Sequence, residues 1–144
     1  MKIEQLLEKG SLKKARPDKE KAIQSIKVAE SKLEESERSL AAHLYESAVV
    51  FAYMAMFHAA RAILFQDGYT EKSHFAIAVY LQEKHPAKLG LDLINKFNTQ
   101  RVMRHEGLYG LDTDFKKEDA ELAIKDAKEF LKKIKELIKQ ACQK

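Results

Sequence analysis

The stretch AVVFAYMAMFHAARAILF, Ala48 to Phe65, restricts what the whole chain can become. Tyr45, Val49, Ala52, Met56, Ala59 and Ile63 recur at helical spacing, and Phe51, Ala55, His58, Ala62 and Phe65 form a second stripe beside them. A helix that is apolar on two faces must touch more than one neighbour. The run approaches the length of a membrane span, but His58 and Arg61 interrupt it and alanine dominates it, so it reads as the buried central helix of a bundle.

The neighbours are visible on either side. Pro17 and Asp18 make a good helix start, since proline loses no hydrogen bond in the first turn and the acid complements the positive end of the helix dipole. From there Ala22, Ile26, Ala29, Leu33, Ser36 and Leu40 recur in alternating steps of four and three, a single buried stripe on an otherwise charged helix. After the central helix, QDGYTEKSH is a stop and a restart, with Gly68 suited to a helix C-terminus and Thr70 or Ser73 to the next cap. A shorter helix then runs to about Lys84. His85-Pro86 breaks it, because the residue before proline disfavours helical geometry. Helix resumes from about Ala87 to His105 through Leu89, Leu93, Ile94 and Phe97, and a loop is expected around Gly107 to Asp114. The last helix carries the stripe Ala120, Ile124, Ala127, Leu131, Ile134, Ile138 and Ala141, with lysines over its outer surface.

Four substantial helices joined by short connections predict an all-α fold, an antiparallel up-and-down four-helix bundle whose third helix is split by proline. Residues 1–16, with a short amphipathic piece interrupted by Gly10, are expected to be a helical extension or hairpin arm, and residues 17–144 the bundle. Only five glycines and two prolines among 144 residues, with 45% hydrophobic and 33% charged, argue against a β-rich or disordered chain. The net charge of +4 permits a polyanionic partner without requiring one. The single Cys142 leaves no internal disulfide framework and fits a reducing cytoplasm, and no leader pattern opens the sequence, so a cytoplasmic location without membrane attachment is expected.

The candidates for chemistry gather where the third helix should end, at RHEGLYG, residues 104–110. Helical steps of four, four and three from Leu93 and Phe97 reach Arg101 and Arg104, which places both arginines on the side holding the core contacts, where an unpaired guanidinium is costly. Either acids pair with them or the helix end opens into a cleft. On an unbroken helix Arg104 and Tyr109 point about 140° apart. A left-handed residue at Gly107 would end the helix and let Tyr109 fold back toward Arg104. Arg61 is expected either to pair with an acid across the bundle or to reach the same cleft. His58, among aromatic and alanine neighbours, reads as a core or interface histidine with one hydrogen-bond partner. Lys72 and His74 flank Ser73 at a helix start, where a cap and an anion site are both reasonable.

Other chemistries find less support. Glu71 and His74 form one E-x-x-H pair, whereas a di-iron bundle needs two and further carboxylates. No Walker loop, zinc-type cysteine pairs or G-x-S-x-G elbow is present, and no metal or cofactor is expected. The lysines of the last helix alternate with Glu121, Asp126, Glu129 and Glu136, as on a solvated face.

YMAMFHAARAILFQDGYTEKSH, Tyr53 to His74, followed by Arg104 to Tyr109 and by AELAIKDAKEFLKKI, resembles the HEPN domain over roughly residues 20–140. The K-[ST]-H element of that family matches Lys72, Ser73 and His74. The resemblance implies a four-helix bundle that dimerises, placing two copies of a motif in a shared cleft. It also implies, for many members, metal-independent ribonuclease activity in toxin–antitoxin or defence systems, often beside a minimal nucleotidyltransferase partner. The motif is an arginine, a polar residue, several further residues and a histidine. Arg104 and His105 match its first two positions, and Tyr109 stands where the histidine would be.

That departure bears on the chemistry. Cleavage through the ribose 2′-OH needs a base, a cation on the phosphate and an acid at the leaving oxygen. Arginine serves the phosphate, but a tyrosine of pKa about 10 is ionised only to the order of a thousandth at neutral pH. His105 has a suitable pKa and sits about 100° round the helix from Arg104. The expectation is an RNA- or nucleotide-binding homodimer with Arg104, His105 and Tyr109 at the reacting centre and Arg61, Lys72, His74 and Arg101 around the ligand. It is either a ribonuclease or a noncatalytic interaction protein that partners a nucleotidyltransferase.

Overall fold

A computed structural model describes residues 2–109 and 114–142, without the side chains of 105–109 and 140–142. In chain order the elements are α1 (Ile3–Lys9), β1 (Leu12–Lys14), α2 (Lys19–Ala41), α3 (Tyr45–Asp67), β2 (Tyr69–Glu71), α4 (His74–Lys84), α5 (Pro86–Leu89), α6 (Leu91–Tyr109) and α7 (Lys117–Cys142). The fold is all-α, with one short two-stranded ribbon.

Cross-helix contacts fix the directions. Ser25 and Ser36, buried on α2, donate from Oγ to the carbonyls of His58 and Ala48, both at 2.6 Å, so α2 and α3 are antiparallel. Lys128 meets Glu37 at 3.5 Å and Lys135 meets Glu30 at 3.3 Å, which sets α7 antiparallel to α2. Gln100 Nε2 donates to the Ala123 carbonyl at 3.0 Å, and Lys96 reaches Asp126 and Glu129, which makes α6 antiparallel to α7. The four long helices therefore alternate in direction. Of the two pairs that run the same way, α3 with α7 and α2 with α6, it is α3 and α7 that pack against each other.

The stripes read from the sequence are the ones that face inward. Ala22, Ile26 and Ala29 of α2, Val49, Ala52, Met56, Ala59 and Ile63 of α3, and Ala120 through Ile138 of α7 are buried. Ala55 and Ala62 of the second α3 stripe are fully buried too, and this helix touches α2, α4, α6 and α7. It is long and apolar enough to cross a membrane, and here it spends that apolar surface on four protein neighbours.

Local signals explain the ends. Asp18 caps α2, its side chain accepting from Lys21 N at 3.0 Å, and Ser73 caps α4 by accepting from Ala76 N at 3.1 Å. Gly68 ends α3 at φ 90°, and a Cβ there would lie 2.9 Å from the Ala15 carbonyl and 3.1 Å from the Pro17 ring, so glycine is needed twice over. Just before it, Asp67 accepts hydrogen bonds from Tyr80 at 2.6 Å and from His85 at 2.8 Å, tying the ends of α3 and α4 together. Burial raises the Asp67 pKa, but those two bonds outweigh it and leave the carboxyl below its ordinary value.

The first residues form α1 and β1 and are packed on the bundle: Ile3, Leu6 and Leu12 are in the core, and β1 pairs antiparallel with β2, Lys13 opposite Thr70. Three local expectations are corrected. Of the two cap candidates, Thr70 is a strand residue and Ser73 is the cap. The stretch from 74 to 109, expected to break once at His85-Pro86, is split there and again at Gly90. Most consequentially, α6 does not stop at His105 but continues through Gly107 to Tyr109. A glycine inside a helix costs only about 1 kcal/mol relative to alanine, which the surrounding turns absorb.

Candidate functional site

The site lies where α3, the start of α4 and the end of α6 meet. Tyr53, Phe57 and Arg61 follow one another at intervals of four on one face of α3. Tyr53 is fully buried, and its ring stacks on Phe97 at 5.6 Å, which stacks in turn on Phe130 at 5.5 Å. This ladder of rings anchors the site to the bundle core. On the outer side, the His74 imidazole stacks on Phe57 at 4.2 Å and on Tyr53 at 5.7 Å.

Three guanidinium groups surround this floor. Arg104 lies over the Tyr53 ring at 5.7 Å, Arg101 over the Phe75 ring at 5.9 Å, and Arg61 over Phe65 at 5.0 Å and Phe57 at 5.7 Å. Their partners differ. Arg61 Nε is 2.8 Å from Glu71 Oε1, a charge contact in which the N–H is not aimed at the carboxylate. Arg101 Nε donates to Asn98 Oδ1 at 3.0 Å, and Arg104 Nε is buried with no hydrogen-bond acceptor. Among the described residues neither Arg101 nor Arg104 has a carboxylate partner. Among the described residues the site therefore holds two cations without a carboxylate on an aromatic surface, which an anion would stabilise.

His74 is set by this environment. Burial, and then the charges of Arg104, Arg101 and Arg61, hold its pKa below the ordinary value, so it is neutral at physiological pH. Its Nδ1 is 2.6 Å from Tyr53 Oη. Burial pushes the phenol pKa up by more than Arg104 and Arg101 pull it down, so Tyr53 keeps its proton. With no other acceptor for that hydroxyl among the described residues, Tyr53 donates to Nδ1, and the imidazole proton sits on Nε2. In this state His74 is a hydrogen-bond donor toward a ligand and not a base.

The neighbouring His58 is half-buried, and its ring nitrogens bond no described residue, where the sequence predicts a core or interface histidine with one hydrogen-bond partner. Burial, Arg61, Lys32 and His74 lower its pKa to about 4, which makes it a weak base.

Four of the residues singled out from sequence thus come together: Arg61, His74, Arg101 and Arg104. Lys72 is exposed, and its main-chain N–H donates to the Ser11 carbonyl at 2.8 Å. The side chains of His105 and Tyr109 lie outside the described residues. With α6 helical through Tyr109, however, its backbone position is about 140° round from Arg104, so the folding-back at Gly107 does not occur. Glu71 and His74, the one E-x-x-H pair, are engaged by Arg61 and Tyr53. Sequence reasoning missed Tyr53, Phe57 and Phe75. The signal was the regular four-residue spacing of Tyr53, Phe57 and Arg61, hidden inside a run read for its alanine stripes.

A groove of about 680 Å³ between α2 and α7 is no rival site. Its floor is apolar, with Ile26, Leu33 and Leu131, and its acidic and basic rims already pair across it through Glu37–Lys128 and Glu30–Lys135.

Comparison with known proteins bears on the chain as a whole. The family model of the HEPN domain matches residues 22–137. A UPF0332 protein of Archaeoglobus fulgidus is 33% identical over 115 residues, covering 78% of this chain and 91% of that protein.

Proposed function

The chain belongs to the HEPN domain family, and from that premise we propose that it binds RNA or a nucleotide through phosphate at the Arg61, His74, Arg101 and Arg104 cluster. The family supports a nucleotide- or RNA-related role in general. The observation that carries the specific reading is the pair of guanidinium groups, Arg101 over the partly exposed Phe75 ring and Arg104 over the buried Tyr53 ring, with no carboxylate partner among the described residues. Guanidinium groups match phosphate oxygens in shape and charge, and the Nε2–H of His74 adds a neutral donor near them.

Between cleavage and binding, the described side chains favour binding. Transesterification needs a base for the 2′-OH, and His74 has its proton on the outward nitrogen while His58 has a pKa of about 4. A noncatalytic role beside a protein partner such as a nucleotidyltransferase fits that chemistry, and so does a homodimer presenting two such clusters.

The test is a titration of labelled mixed-sequence RNA in chelator with wild type and the Arg101→Ala/Arg104→Ala variant, followed by electrophoresis of the same RNA. Binding in wild type, its loss in the variant and intact RNA are expected. Equal affinity of the two proteins would dispose of the site. Cleavage products from wild type would reject the noncatalytic reading and leave the binding site standing.

A further inference from the structure

We propose that Phe75 is a stacking platform for an unpaired base, so that the site takes single-stranded nucleic acid in preference to a duplex. The inference rests on the phosphate-binding reading and adds to it the substrate class.

The residues from Ala76 to Leu81 that follow Phe75 in α4 are all buried, yet Phe75 itself is 44% exposed. A phenylalanine half in water forfeits part of the transfer free energy that burial would give it. Its position is nevertheless well defined. Ser73 caps the helix two residues earlier, which orders the backbone at Phe75, and Arg101 lies over the ring at 5.9 Å with its own Nε held by Asn98 at 3.0 Å. The result is a partly open aromatic ring, one residue from His74, with a cation over it.

The chemistry of the occupant follows from that juxtaposition. Arg101 and Arg104 call for a polyanion, and Phe75 for a flat apolar ring. Nucleic acid offers both on one chain. Bases in a duplex are paired and stacked on one another, and only an unpaired base can lay its face on Phe75. Because every base has such a face, this contact predicts little sequence preference. The juxtaposition of Arg101 and Phe75 matches the division of labour seen in single-strand binders, in which cations track the backbone and aromatic rings take the bases.

The experiment is fluorescence anisotropy at fixed salt with three probes: oligoadenylate, its duplex with oligouridylate, and an abasic strand of equal length. Wild type is expected to bind oligoadenylate tightest. Phe75→Ala should weaken oligoadenylate binding by about 5- to 100-fold, the range found when a base-stacking aromatic is removed, and leave the abasic and duplex probes within about twofold. Phe75→Trp, which keeps a ring, should retain binding and serves with circular dichroism as the control for folding. Equal losses on the abasic strand, an unchanged oligoadenylate affinity, or a wild type indifferent to strandedness would overturn the proposal while leaving phosphate binding intact. Unchanged RNA affinity combined with conversion of a dimer to a monomer would assign the ring to a second copy of the chain instead. A wild type that binds none of the three probes would remove the phosphate site as well.

Discussion

The hydroxyl of Tyr53 lies 2.6 Å from Nδ1 of His74, and because that phenol is fully buried, this one bond decides which nitrogen of His74 carries its proton. A core residue thereby sets the chemistry of a surface one. The rings behind it, Phe97 and Phe130, keep Tyr53 from turning away.

The first prediction concerns that bond. Nitrogen NMR of labelled protein near neutral pH should find His74 neutral and protonated at Nε2 in wild type. In Tyr53→Phe it should find a mixture of the two tautomers, with a stability loss of about 1 kcal/mol for the removed hydrogen bond. Detection of the wild-type proton on Nδ1 would reverse the assignment and make His74 a base.

A second prediction uses salt. If Arg101 and Arg104 each neutralise one phosphate, the slope of log affinity against log salt for single-stranded RNA should fall by about 0.7 in each single alanine variant. Lys72→Ala, at an exposed residue next to α4, should change the slope less than either. An unchanged slope in Arg104→Ala would show that this guanidinium faces no phosphate.

The third prediction is a pH dependence of stability. His58 has a folded pKa of about 4 against an ordinary value of 6.5, so the unfolded chain takes up a proton before the folded one does. The contribution of His58 to stability is therefore complete above about pH 6.5 and is lost progressively as pH falls toward 4. The lowered pKa of His74 acts in the same direction. Chemical denaturation of wild type and His58→Gln between pH 7 and 5, above most carboxylate titrations, should give a shallower decline for the variant; parallel curves would contradict the assignment.

What the sequence made legible was whatever depends on periodicity. The inward stripes of α2, α3 and α7 are local patterns and hold in the structure, as does Ser73, one of two cap candidates; Asp18, read as an acid in the first turn, is the N-cap itself. Arg101 and Arg104 were placed on the core side by the same counting. The contacts that complete the site are non-local: His74 meets Tyr53 across 21 positions, and Leu12 meets Glu71 in the ribbon. No period marks such pairs. Thr70 belongs to a strand only because residues 12–14 are there to pair with it, and Phe75 stands out only once its neighbours are seen to be buried.

Two glycines give opposite predictions, and together they test the path of α6. At Gly68 the backbone has φ 90° and a Cβ would meet the Ala15 carbonyl at 2.9 Å, so Gly68→Ala should destabilise the protein by more than about 1 kcal/mol through strain and displacement of the β1 end. Gly107 lies inside a continuous helix, where alanine is the better helix former. Gly107→Ala should therefore raise stability by up to about 1 kcal/mol and leave RNA affinity unchanged. Had Gly107 ended the helix in a left-handed conformation, the same substitution would cost stability and disturb the approach of residue 109 to Arg104. Denaturation midpoints of the two variants against wild type separate these geometries, and a destabilised Gly107→Ala protein would restore the turn that the continuous helix rules out.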